Sequence, residues 1–373
     1  MIRLATSFTG GLSAIDFALK YENIKYKHIF GVEIDKYARK QCINFHGEPD
    51  EFHHDVTTTS ATHLKGKVDL YVFGSSCQDL SLAGKRKGFE GEKSVLFRDG
   101  ARLLGEMKPK AFIFENVKGL LSSNGGADYK EVEKTFRELG YHMAMKVVNA
   151  KQQGTAQNRE RVFVVGFLDA DAYHDFHFAD SVPLTKCLRD YLEEEVDEKY
   201  YLSDDRTFEL TGKQIGAVAK LTDTKFESAQ RIQGVNGIAS TLITQQGGDQ
   251  EPKILVKRNQ LNPLYKSQCN TIHDIDGVAP SLCAGTHGYA YGYIREPISF
   301  KWSITPPANW LFRIRRLTPR ECFRLMGMND SDIALVNSDT QSYKIAGNGI
   351  EINTMRSIIR QLYKPVKSKN SLF

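Results

Sequence analysis

Asp69-Leu70-Tyr71-Val72-Phe73-Gly74-Ser75-Ser76-Cys77-Gln78-Asp79-Leu80-Ser81-Leu82-Ala83-Gly84 is an apolar run of strand length that opens into a small-residue loop carrying one cysteine. A short apolar run bounded by such a turn signal reads as a buried parallel strand. Open α/β sheets bind ligands beyond the carboxyl ends of these strands, so chemistry is expected at Cys77. A second run, Ala111-Phe112-Ile113-Phe114, ends in Glu115-Asn116-Val117-Lys118-Gly119 and brings a carboxylate to what should be a neighbouring strand end. A thiol and a carboxylate presented together can attack and protonate one planar substrate. In Gln157-Asn158-Arg159-Glu160-Arg161-Val162-Phe163, two arginines stand two residues apart at the entrance to a further strand, and extended backbone turns them to one face.

Outward from these runs, strand-like segments alternate with helical patterns. Strands are expected near 2–8, 28–32, 70–73 and 112–114, each followed by a helix, near 15–19, 37–45, 96–107 and 129–139; two more strands follow at 141–148 and 162–167. That βαβα rhythm predicts an α/β fold with a doubly wound, Rossmann-like parallel sheet. The following stretch is polar, Gly-rich and Thr-rich, without helical periodicity, which predicts a smaller β-rich or irregular domain. The expected organisation is 1–175, 176–309, and a segment 310–373 that completes the first domain. Within the middle stretch, Gly234-Val235-Asn236-Gly237-Ile238-Ala239-Ser240-Thr241-Leu242 recurs as Asp274-Ile275-Asp276-Gly277-Val278-Ala279-Pro280-Ser281-Leu282, with Asn-Gly and Asp-Gly pairs that mark tight turns. Thr318 and Glu321 have capping-box spacing for a helix beginning at Pro319. A last helix is expected at 351–362, with a frayed polar tail at 367–370.

The chain of 373 residues is long enough for two domains. With 50 Lys+Arg against 45 Asp+Glu, its net charge of +5 permits a polyanionic partner without requiring one. Six cysteines, at 42, 77, 187, 269, 283 and 322, form no C-x-x-C pair and no cluster with histidine, so free thiols are expected and no metal site is suggested. No secretory leader is expected, and the sequence holds no run of 18 apolar residues. The expected location is the cytoplasm.

Taken in order, Phe8 to Gly11, the Cys77 loop, Glu115-Asn116-Val117, Gln157 to Arg161, Arg316-Leu317-Thr318-Pro319-Arg320-Glu321 and Ala346-Gly347-Asn348-Gly349 resemble the ordered blocks of the bacterial and phage DNA (cytosine-5)-methyltransferases, over nearly the whole chain. Any one block alone would read as an ordinary strand end or turn, and the joint order makes the resemblance specific. It implies a sequence-specific enzyme that transfers a methyl group from S-adenosylmethionine to C5 of a flipped-out cytosine. Cys77 is then the nucleophile that adds to C6, Glu115 its acid partner, and Arg161 a ligand of the base. A free thiol has a pKa of roughly 8.5, and Arg159 and Arg161 are cations that would lower it.

The cofactor residues implied are Phe8, Gly10, Gly11, Glu33, Ile34, Asp55, Leu96 and Asn348, with Glu33 placed for ribose hydroxyls and Asp55 for the adenine amine. Gln78, Ser81, Lys85, Arg86 and Lys87 are candidates for the vacated gap and the phosphates, on a loop expected to close over DNA. Gln245, Gln246, Thr286 and His287 are candidates for base edges, within the inserted target-recognition domain. Double-stranded DNA is the implied partner, a restriction endonuclease a functional rather than physical one, and a monomer the implied state. An RNA cytosine methyltransferase would share the catalytic blocks, but the long insertion favours duplex DNA; an adenine-N6 enzyme is disfavoured by the lack of a D-P-P-Y-like block. The chain departs from the family pattern at four places. Ser76 and Ala156 stand where proline is usual, Gly349 where a small hydroxyl or alanine side chain is usual, and Phe8-Thr9-Gly10-Gly11 replaces F-x-G-x-G.

Overall fold

The structure, a computed structural model, describes residues 1–74, 95–202, 208–210, 213, 217–222, 230–242, 251–257, 272–274, 293–295 and 312–363. The candidates Cys77, Gln78, Ser81, Lys85, Arg86, Lys87, Gln245, Gln246, Thr286 and His287 lie outside these residues, as do most of the second repeat copy and the tail.

The first part of the chain runs β1 (Ile2–Ser7), α1 (Ala14–Tyr21), β2 (Tyr26–Val32), α2 (Lys36–His46), β3 (Glu51–His53), β4 (Leu70–Gly74), α3 (Val95–Met107), β5 (Ala111–Val117), α4 (Ala127–Glu138), β6 (His142–Asn149), β7 (Glu160–Phe167) and α5 (Ala170–Asp175). Its seven strands form one sheet in the order β3-β2-β1-β4-β5-β7-β6. The expected parallel sheet is present from β3 to β5, whereas β7 runs antiparallel to both β5 and β6. The reversal follows from the short connection between β6 and β7, which leaves no room for a crossover helix.

Every residue of β4 is buried, as expected of a strand covered on both faces. Tyr71 and Phe73 stack at 4.8 Å, and Phe73 packs on Phe112, Phe114 and Phe136. This aromatic layer fixes the central strands. The strand order turns outward in both directions from the β1–β4 pair, so the crevice of the sheet opens at the carboxyl ends of those two strands. The Gly10 turn leaves β1 there, and the Cys77 loop leaves β4.

The chain divides into two compact units, 1–191 with 239–246 and 319–373, and 192–238 with 247–318. The second unit therefore starts later and ends later than the expected 176–309. Leu188 and Tyr191 are buried in the first unit, while β14 (Phe312–Arg316) pairs with β11 (Lys253–Lys257) in the second. The five-stranded sheet of that unit has the order β14-β11-β10-β9-β8, with β8 at Phe208–Leu210, β9 at Ala217–Leu221 and β10 at Arg231–Gln233. Its buried core is Ala219, Leu221, Ile232 and Ile314. A separate parallel pair joins β12 (Ile272–Asp274) to β13 (Tyr293–Arg295).

The Asn236-Gly237 turn is present, with the Gly237 N–H donating to the Gly234 carbonyl at 3.1 Å. The chain then enters the first unit, where Ala239 bridges Gln157 and the Thr241 hydroxyl donates to the Asn158 carbonyl. The helices α6 (Pro319–Leu325), α7 (Asp339–Asn348) and α8 (Ile352–Leu362) complete that unit. Ahead of α6, the Thr318 hydroxyl donates to Glu193 within the second unit. At α8 the Glu351 carboxylate caps the helix by accepting from the Asn353 and Thr354 N–H groups.

Candidate active site

Two buried carboxyl groups flank the crevice. Gly74, the last residue of β4, pairs with Glu115 on β5, and a methyl added at Gly74 would lie 3.7 Å from Glu115 Oε2. The strand that leads to Cys77 thus ends beside the carboxylate expected to work with it. Glu115 is 9 % exposed, and Arg161 Nε lies 3.0 Å from its Oε1. Burial pushes the Glu115 carboxyl above its ordinary range, although the charges of Arg161 and Arg159 pull the other way. A buried carboxyl whose proton is held more tightly than usual is suited to act as an acid toward a substrate nitrogen.

The two arginines have different partners. Arg161 lies inside β7 and reaches Glu115, with a further donation from Nη1 to the Glu160 carbonyl. Arg159 precedes the strand, is 2 % exposed, and donates to the main-chain carbonyls of Gly347, Gly349 and Leu242. The charges of both are felt at Glu115, but only Arg161 contacts it. In the same block, the Gln157 amide donates to the Leu325 carbonyl.

On the other side of the crevice, Phe8, Gly10 and Gly11 all have positive φ, of 57°, 67° and 83°. Close approach adds to this need for glycine: a Cβ on Gly10 would lie 2.9 Å from Asn348 Cβ, and one on Gly11 would lie 2.7 Å from the Ala38 backbone. Glu33 follows β2, is 8 % exposed, and accepts a hydrogen bond from the Asp35 N–H at 3.1 Å, while the Gly10 backbone also favours its charged form. Burial raises its carboxyl to about 7. Ile34 beside it is 60 % exposed. Phe8 and Leu96 pack against the same aromatic core.

Of the expected cofactor residues, Gly10 and Asn348 are in direct contact, the Phe8 N–H donates to the Val32 carbonyl next to Glu33, the Gly10 backbone acts on the Glu33 carboxyl, and Ile34 adjoins Glu33. Asp55 sits differently. Its Oδ1 accepts from the Thr57 N–H and hydroxyl, and these bonds hold its carboxyl below the ordinary range. Lys344 was not among the expected residues. It donates to Asp35 and its charge is felt at Glu33. It lies four residues before Asn348, on the same face of α7, which is the signal that would have found it.

The crevice offers a small-residue cradle, a buried carboxyl suited to sugar hydroxyls and an exposed apolar side chain beside it, and this donor set fits a nucleoside cofactor. Among the described residues, no group of histidine, cysteine and carboxylate side chains could hold a metal ion. Burial pushes the Cys42 and Cys322 thiols well up, so neither is a reactive thiolate.

Residues 7–364 match the profile of the C-5 cytosine-specific DNA methylases. The chain belongs to that family. This methylase is 30% identical to the type II methyltransferase M.Bsp6I of Bacillus sp. (strain RFL6), over 98% of this chain and 99% of the relative. It is 28% identical to the orphan methyltransferase M.SPRI of Bacillus phage SPR, over 98% of both. Among solved structures, the S. pombe Dnmt2 methyltransferase shares the fold with a TM-score of 0.61 at 17% identity, covering 97% of this chain and 98% of that one. The methylase is accordingly an enzyme, a DNA (cytosine-5)-methyltransferase. Among its described residues no helix is long and apolar enough to cross a membrane.

Two of the methylase's departures from the family pattern have local causes. The Ala156 N–H donates to the buried Tyr191 hydroxyl, a bond that proline cannot make. At Gly349 a Cβ would lie 2.7 Å from Leu12 Cδ2, so this chain fills with Leu12 the space that a side chain would take. Ser76 lies outside the described residues.

Proposed function

We propose that this methylase modifies C5 of a flipped-out cytosine at a specific duplex DNA sequence, using S-adenosylmethionine and a covalent bond between Cys77 and C6 of the base. The observation that carries this reading is the buried Glu115–Arg161 pair at the end of β5, beside the end of β4 from which the Cys77 loop departs.

The Cys77 thiolate adds to C6, forming an S–C6 bond. As the C5=C6 π bond breaks, its electron pair is left at C5, while the Glu115 carboxyl gives its proton to N3. Arg161 then faces a Glu115 that has become a carboxylate, and stabilises the charge left by the transfer. Bound S-adenosylmethionine supplies an electrophilic methyl group on a sulfonium sulfur. Glu33 would accept from its ribose hydroxyls, Gly10 and Gly11 would let the backbone approach it, and Ile34, Leu96, Asn348 and Asp55 would hold the rest of it. Once C5 carries the methyl group, removal of the C5 proton by a base and elimination of the thiolate return Cys77 to its starting state.

Extruding the cytosine costs a few kcal/mol of unstacking. In this reading Gln78 and Ser81 hold the gap, Lys85, Arg86 and Lys87 meet the phosphates, and Gln245, Gln246, Thr286 and His287 read base edges from the recognition domain. The relatives include both orphan and type II methyltransferases by name, and a cognate endonuclease is a functional pairing to be sought in a linked gene.

Conversion sequencing of unmethylated plasmid DNA, after incubation with the protein and S-adenosylmethionine, tests the proposal. Protected cytosines at one recurrent short sequence, absent with Cys77→Ala, are expected. Lack of protection, with modification of a transfer RNA instead, would overturn the DNA assignment.

A further inference from the structure

The buried guanidinium of Arg159 stands at the C-terminal end of α7. The last four carbonyls of a helix lack intrahelical donors, and a cation there also meets the negative end of the helix dipole. Arg159 Nη2 donates to the carbonyls of Gly347 and Gly349, at 3.0 and 2.6 Å, and Nη1 to that of Leu242 at 3.2 Å. The two glycines bracket Asn348, whose Cβ and backbone press on Gly10 so closely that Gly10 has no space for a Cβ. The Gly10 backbone in turn acts on the Glu33 carboxyl, favouring its charged form. One turn earlier on α7, Lys344 ties the helix to Asp35. A continuous set of contacts therefore runs from the entrance of β7, beside the base-binding arginine, to the carboxylate assigned to the cofactor ribose.

We infer that Arg159 is a positioning residue for the cofactor end of the site, holding the C-terminus of α7 so that Asn348 seats on Gly10 and Gly10 on Glu33. The inference rests on the cofactor reading given under Proposed function. It separates two arginines that stand two residues apart: Arg161 serves the base and Glu115, whereas Arg159 acts through Asn348 on cofactor affinity. The bond to Leu242 gives Arg159 a second task, since Leu242 belongs to the short segment by which the inserted chain returns to the catalytic unit.

The test uses the full chain. For Arg159→Met, Kd and KM for S-adenosylmethionine should rise about tenfold, the equivalent of one charge-assisted hydrogen bond. The KM for DNA should stay within about threefold, and turnover at saturating cofactor should fall less than in Arg161→Met, because the Arg159 charge is felt at Glu115 without contacting it. Amide hydrogen exchange over residues 346–350 should accelerate. Arg159→Lys, which keeps the charge but not the fork, should recover part of the cofactor affinity. Arg161→Met should do the reverse, losing turnover with cofactor Kd unchanged.

Lost turnover in Arg159→Met, with cofactor Kd and exchange at 346–350 unchanged, would overturn the inference and return Arg159 to the base. Should Arg159→Met fail to fold, Arg159→Lys and Asn348→Ala are combined; their effects on cofactor Kd should be non-additive, and additive effects would overturn the inference. If the wild-type protein binds no S-adenosylmethionine, the cofactor reading itself fails, and faster exchange at 346–350 in the variant identifies that as a separate failure.

Discussion

Glu33 and Glu115 occupy matching places on the two sides of the crevice, Glu33 just after β2 and Glu115 near the end of β5, with β1 and β4 between them. Burial raises both carboxyl groups, yet their neighbours differ. Glu33 is met by the uncharged backbone groups of Asp35 and Gly10, with the Lys344 charge contributing less. Glu115 is met by Arg161 at 3.0 Å and feels Arg159 as well. A carboxyl held by dipoles accepts neutral hydroxyl hydrogens, whereas one facing a guanidinium can part with a proton and still be compensated. In the proposed function, the same burial prepares one acid to bind and the other to react.

If the two ends are separate in this way, substitutions at the base end should alter turnover without altering cofactor affinity. Cys77→Ser is expected to lower kcat by at least ~10³-fold, because a hydroxyl has almost no anionic form near neutrality. Cofactor Kd, measured by titration calorimetry, should remain within about twofold. Glu115→Gln keeps the shape and one acceptor but has no proton to give, and should lower kcat by about 10²–10³-fold, again with unchanged cofactor Kd. A cofactor Kd that moved along with kcat in either variant would break the division.

The division was only partly legible in the sequence. Unbroken apolar runs such as Leu70 to Phe73 and Ala111 to Phe114 announce buried strands, and their polar exits mark Glu115 and the Cys77 loop. Strand direction leaves no mark in that pattern, so nothing in it distinguishes the antiparallel course of β7. Spacing by two puts side chains on one face only inside regular extended backbone. Arg159 lies just ahead of β7, and its partners at Gly347 and Gly349 are 188 and 190 residues away. Contacts of that separation have no local signature. The same holds for Lys344, although its distance of four residues from Asn348 becomes informative once α7 is recognised as a helix.

The next effect is smaller and concerns pH. The Glu33 carboxyl lies at about 7 in the folded protein, against 4.5 when unperturbed. Below the unfolded value both states are protonated; between about 4.5 and 7 the unfolded chain releases its proton first, and folding stability falls as pH rises. Above 7 the buried charge costs the free protein about 3 kcal/mol, since each pH unit between the two values is worth about 1.36 kcal/mol. Glu33→Gln should therefore raise the stability of the free enzyme at pH 8 by about 1–3 kcal/mol and leave it unchanged near pH 4, as read from denaturant unfolding. The same variant should weaken cofactor binding about tenfold at pH 8, through loss of a charge-assisted bond. Wild-type affinity should fall as pH drops below 7, because the protonated carboxyl is the poorer acceptor, and the variant should show a flat profile. A stabilised variant with undiminished cofactor affinity would mean that Glu33 is a buried acid without a ligand.

The smallest effect tests Ile34 rather than the carboxylate. Ile34 follows Glu33 and is 60 % exposed, so the folded chain alone derives little stability from its side chain. Ile34→Ser should change the stability of the free protein by less than about 0.5 kcal/mol, as is usual for an exposed position. If a nucleoside ring covers that side chain in the bound state, about 1 kcal/mol of apolar contact is lost, and cofactor Kd should rise about fivefold with kcat unchanged. An unchanged Kd would show that Ile34 is ordinary surface, and would leave the cofactor end resting on Glu33 and the Gly10–Asn348 contact. A changed kcat would place Ile34 closer to the reacting base than the arrangement of the two carboxylates allows.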